Sequence, residues 1–147
     1  MKKLFLLQHF IIATIVTYVA ACIMQTQMVL LALSNLNIEI TWSKRIYMTS
    51  QDLLGLMPTY VAIIALGLAI GFAIAKAIRT YSRFNSYSLY VAAGGFTMAA
   101  ILVAMQPVLG VTLLAGARSA VGIMLQIIAG VLGGLCFMRL RKTYNNK

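Results

Sequence analysis

The amino-acid sequence predicts an all-α integral membrane protein, a four-transmembrane-helix antiparallel bundle with a small extended, hairpin-like cap on its outer face. Three observations carry the prediction. Four long apolar stretches fill most of the 147 residues, and none contains Lys, Arg, Asp or Glu. Hydrophobic residues make up 62% of the chain and charged residues 10%, whereas about a quarter of a soluble domain is charged. Finally, the 12 basic residues fall between the stretches and at the ends, mostly in alternate segments that share one side of the membrane.

A helix crosses a hydrocarbon core about 30 Å thick with about 20 apolar residues, each rising about 1.5 Å. The spans are therefore placed at residues 10–33, 57–75, 87–105 and 119–138. An outer loop at 34–56, an inner loop at 76–86, a second outer loop at 106–118 and a tail at 139–147 complete a single membrane domain. Pro58 suits the first turn of the second span, where a missing N–H removes no helical bond, and Pro107 falls just past the third.

The first span admits a second reading. Lys2 and Lys3 followed by an apolar run resemble a secretory signal, and Val19, Ala20, Ala21 and Cys22 resemble a lipoprotein cleavage box. The apolar run continues to residue 33, too long for a signal core, so an uncleaved helix is expected.

Orientation follows from the basic residues, which are retained on the cytoplasmic side when they flank a span. Lys2, Lys3, Lys76, Arg79, Arg83, Arg139, Arg141, Lys142 and Lys147 fall on one side, against Lys44, Arg45 and Arg118 on the other. Both termini are thus expected in the cytoplasm of a bacterial-type inner (plasma) membrane. The formal charge of +10 then reflects retention and attraction to anionic lipid, and no nucleic-acid partner is implied.

In the first outer loop Leu36, Ile38, Ile40 and Trp42 alternate with polar residues, the period of a strand. Residues 45–49 read as its return, Ser50 and Asp52 as the cap of a short helical lead-in to the second span, and Trp42 and Tyr47 as interfacial anchors. Residues 108–114 would supply a third strand.

Small residues four apart mark close helix contacts in lipid. Gly67, Gly71 and Ala75 form one stripe, Gly122, Gln126, Gly130 and Gly134 another, and Gly95, Ala99 and Val103 a weaker third. They are read as internal seams of the bundle. The first span instead carries a polar stripe of Thr14, Thr17 or Tyr18, and Gln25. Gln25 and Gln126 lie at similar depth and are expected to bond each other, with the threonines as helix glue or, on a sharper reading, as the lining of a solute path.

Arg118, at the start of the fourth span, needs a partner, and the chain's two acids are Glu39 and Asp52. An ion pair clamping the outer loop is expected there, or alternatively an anion site. Two acids and one histidine, His9, cannot build an acid/base pair, and no nucleotide-binding glycine motif is present. Cys22 and Cys136 fall at different depths, so no disulfide is expected. The sequence implies no enzyme, no cofactor and no metal site. The expected function is that of a small non-catalytic membrane protein, an accessory, assembly or sensing subunit of a membrane complex or a homo-oligomer. Its partners would be the bilayer and a membrane protein or second copy. The alternative is a small channel or transporter for an anionic or neutral solute, using Arg118 and the polar residues of the first and fourth spans.

Overall fold

A computed structural model describes residues 2–36, 39–81, 85–109 and 119–145, with side chains at 5–36, 39–81, 85–105 and 119–142. Five helices follow in order: α1 (Lys2–Ser34), α2 (Trp42–Gly55), α3 (Met57–Tyr81), α4 (Ser86–Leu109) and α5 (Ala120–Asn145). Four are long and apolar enough to cross a membrane, over Phe5–Ser34, Met57–Tyr81, Ser86–Met105 and Ala120–Lys142. The expected spans are all present, and each helix runs on past its apolar core. Pro107 accordingly lies within the last turn of α4, not after it.

Helix starts follow local chemistry. Asn85 caps α4, its Oδ1 accepting from Tyr87 N at 3.1 Å, and Ser119 caps α5, its Oγ accepting from Gly122 N at 3.0 Å. Pro58 occupies the first turn of α3, as expected.

The extended cap does not form. Among the described residues there is no strand; residues 39–41 carry no regular structure, and α2 occupies 42–55. The reason lies in which residues are sheltered. Arg45, Thr49, Asp52, Leu53 and Leu56 are partly buried, at i, i+4, i+7, i+8 and i+11, while Trp42, Ile46, Tyr47 and Leu54 are exposed. That is a helical period. The anticipated helix start at Ser50 is mid-helix instead, its hydroxyl bonding back to Tyr47 O at 2.7 Å. Of the proposed third strand, residues 108 and 109 continue α4 and 110–114 lie outside the described residues.

The four long helices close a ring, α1 against α5, α5 against α4, α4 against α3 and α3 against α1, each pair antiparallel. Backbones approach most closely between α4 and α5. A methyl group added to Gly94 would collide with the carbonyl of Gly130, one on Gly130 with the carbonyl of Gly94, and one on Gly134 would lie 2.6 Å from Tyr90 O. Gly130 and Gly134 thus serve the seam expected of them. Their partner on α4 is Gly94; Gly95 is also buried against Val131 and Ile127 of α5, while Val103 from the set begun by Gly95 is exposed. Gly67 meets Ile101 and Thr97, Gly71 meets Thr97, and Gly133 meets Thr17. Gly122 is buried at the start of α5.

One ring from each long helix fills the core toward the end that carries the termini. Phe72 of α3 stacks on Phe137 of α5 at 4.7 Å between centroids and meets Phe10 of α1 and Tyr90 of α4 edge-on at 6.3 and 5.5 Å. Arg141 lies 5.7 Å over the Tyr90 ring. The register that pairs Phe10 with Phe72 also pairs Tyr18 with Tyr60, the fourth residue of α3. α1 therefore continues well beyond the start of α3, the stretch from Cys22 to Ser34 rising about 20 Å. α2 packs across that projection and leads through Leu56 directly into α3.

Candidate functional site: the polar layer beneath helix α2

Above the aromatic layer the bundle holds its buried polar side chains: Thr14, Thr17, Tyr18, Gln25 and Thr26 of α1, Tyr60 of α3, Thr97 of α4 and Gln126 of α5. Each faces protein because a lone polar group in hydrocarbon costs several kcal/mol. Three threonines bond to carbonyls of their own helix, Thr14 to Phe10 O at 3.0 Å, Thr17 to Ala13 O at 2.8 Å and Thr26 to Cys22 O at 2.9 Å. This back-bonding leaves their hydroxyl protons engaged.

Gln126, 1% exposed, joins three helices. Its Oε1 accepts from Tyr60 Oη at 2.9 Å and its Nε2 donates to Ala21 O at 3.0 Å. The expected bond between Gln25 and Gln126 is replaced by this arrangement, because the Tyr60 hydroxyl and an α1 carbonyl satisfy both ends of the amide. Gln25, 7% exposed, keeps its Oε1 buried without a partner. Such an orphan acceptor costs about 1–3 kcal/mol.

Three side-chain bonds fasten α2 to α1. Thr26 Oγ1 stands 2.7 Å from Asp52 Oδ2, so one hydroxyl proton serves both this carboxylate and Cys22 O. Tyr18 Oη donates to the carbonyl of Leu53, and Arg45 Nη1 donates to Gln27 Oε1 at 3.1 Å. Because the Tyr18 ring meets the Tyr60 ring at 6.1 Å, contacts run without a break from Leu53 through Tyr18 and Tyr60 to Gln126 and Ala21. Every helix except α4 contributes to that chain.

Of the residues expected at an ion-pair or anion site, Asp52 is placed against Thr26, Glu39 is exposed in the segment before α2, and Arg118 lies outside the described residues. Among the described residues no group of three or more His, Cys, Asp or Glu gathers as metal ligands would. Cys22 and Cys136 are both free, and Cys22 is buried. Tyr18 belongs to the polar stripe read from the sequence, but the Tyr60 and Leu53 contributions escape such a reading, since a tyrosine in an apolar run looks like an ordinary core residue until helix register is known. No family model, curated protein or solved structure matches the chain.

Proposed function

We propose that this chain is a small non-catalytic membrane component, an accessory, assembly or sensing subunit, whose helix α2 receives the contact or signal. The observation that carries the reading is the use made of the interior. The aromatic layer of Phe10, Phe72, Tyr90 and Phe137 fills one half, and the polar layer in the other half, apart from the Gln25 Oε1, is engaged by its own amide, hydroxyl and carbonyl partners. A path for a solute through a single bundle would have to break both. Helix α2 has the opposite character. It has no buried residue, exposes Trp42, Ile46, Tyr47 and Leu54, and is held by only a few side-chain bonds. An amphipathic helix of this kind lies in the membrane interface, where an approaching protein meets it first. With the basic end in the cytoplasm of a bacterial-type inner membrane, as retention of basic flanks implies, α2 stands on the outer face.

The test is purification at native expression level in mild detergent, with mass spectrometry of the intact assembly. A stoichiometric foreign membrane protein supports the reading. A homo-oligomer that passes ions or small solutes in proteoliposomes overturns it in favour of a channel, for which the orphan oxygen of Gln25 is the one favouring feature.

A further inference from the structure

A groove of about 540 Å³ runs along the outside of the bundle between α3 and α4. Gly67, Gly71 and Ala75 on one side and Ala93 and Ala100 on the other line its floor, and Ile70, Ile74 and Phe96 stand exposed along its rims. Only Thr97 among its lining residues has a polar side chain. The floor is the α3/α4 contact itself, where a methyl added to Gly67 would come within 2.7 Å of Ile101 Cδ1. A groove that narrows to a helix contact is too tight for another helix, whose axis needs 8–10 Å of separation. It suits a chain one methylene wide.

At the end carrying the termini the groove passes Ala75 and Ile78, and Arg79 follows one helical turn beyond Ala75. Of the described basic side chains, Lys76, Arg79, Arg139, Arg141 and Lys142 belong to this end, while Lys44 and Arg45 belong to the other together with both acids of the chain, Glu39 and Asp52. Apolar lining with a cluster of cations at one end is complementary to a single class of molecule. We propose that the groove binds one acyl chain of an anionic glycerophospholipid, whose phosphate is held at Arg79. This site is separate from the contact assigned to α2.

The experiment is native mass spectrometry of the full chain in mild detergent, titrated with phosphatidylglycerol or with phosphatidylcholine of the same acyl chains. The expected result is one retained phosphatidylglycerol, bound about fivefold more tightly than phosphatidylcholine, the effect of about one cation near a headgroup. R79Q should remove that preference. Filling the groove with A92F and A100F, at positions whose side chains are exposed, should weaken both lipids by at least about tenfold. Unchanged phosphatidylglycerol binding in the filled variant would overturn the site. Equal affinity for the two lipids in the parent chain, or a preference that survives R79Q, would overturn the headgroup assignment. A co-purifying protein that leaves with A92F and A100F while lipid stays would make the occupant a helix and overturn the proposal. Because Arg79 lies outside the packed seams, R79Q tests the assignment even if the filled variant does not fold.

Discussion

The Tyr60 hydroxyl donates to Gln126 Oε1 at 2.9 Å, while the same amide donates to Ala21 O at 3.0 Å. This pair of bonds ties α1, α3 and α5 together at one depth. Gln126→Leu should destabilise the bundle by about 1–2 kcal/mol, because the Tyr60 hydroxyl then loses its acceptor in a dry setting. Adding Tyr60→Phe should recover part of the loss. A double-mutant cycle of unfolding in mixed micelles measures the coupling, and strictly additive effects would deny the bond.

The α4/α5 seam makes a prediction that separates adjacent glycines. Gly94→Ala places a methyl against the Gly130 carbonyl, whereas on Gly95 the nearest atom is the Val131 Cγ2 side-chain carbon at 3.0 Å. A side chain can shift and a helix backbone cannot do so cheaply. Gly94→Ala should therefore cost about 2 kcal/mol or more and Gly95→Ala under about 1 kcal/mol, in the range of overpacked cores, as read by thermal unfolding in one detergent.

The aromatic layer predicts the largest single loss. Phe72 touches a ring on each of the other three long helices, so Phe72→Ala should cost about 3–5 kcal/mol. Phe96→Ala serves as the control. That ring is 76% exposed, and its removal should shift the unfolding midpoint little.

The four spans are legible in the sequence because length and lack of charge decide them without any knowledge of register. The polar stripe is legible for a related reason: Thr14, Thr17, Gln25 and Gln126 are buried, as polar groups in apolar helices must be. Helix α2 is not legible in the same way. Its bulky residues Trp42, Ile46, Tyr47 and Leu54 point away from the bundle, so the apolar pattern does not mark the packed face. That face carries Arg45, Thr49 and Asp52 beside Leu53 and Leu56, and an apolar periodicity ignores the three polar residues. The alternation read over 36–42 covers only a few residues, of which 39–41 carry no regular structure and Trp42 begins α2. The aromatic layer is invisible in the sequence because each helix contributes one ring, and single residues in separate helices can be matched only once the register is fixed.

The fastening of α2 predicts a local effect. Thr26→Val or Asp52→Asn should speed amide hydrogen exchange in α2 by about fivefold, the loss of about 1 kcal/mol from one hydrogen bond. Exchange in α4 and α5 should be unchanged, since the pair joins α1 to α2 and α2 packs on α1 and α3. Uniform acceleration would mean that α2 is integral to the bundle rather than fastened to it.

The most direct test of α2 as the receiving element is photo-crosslinking in native membranes, with a photoreactive amino acid placed at Trp42 or Ile46 and, as control, at Leu66, an exposed residue of α3. One defined adduct with another membrane protein is expected from the α2 positions and none from Leu66. Adducts only between copies of this chain, or equal yields from all three positions, would contradict it.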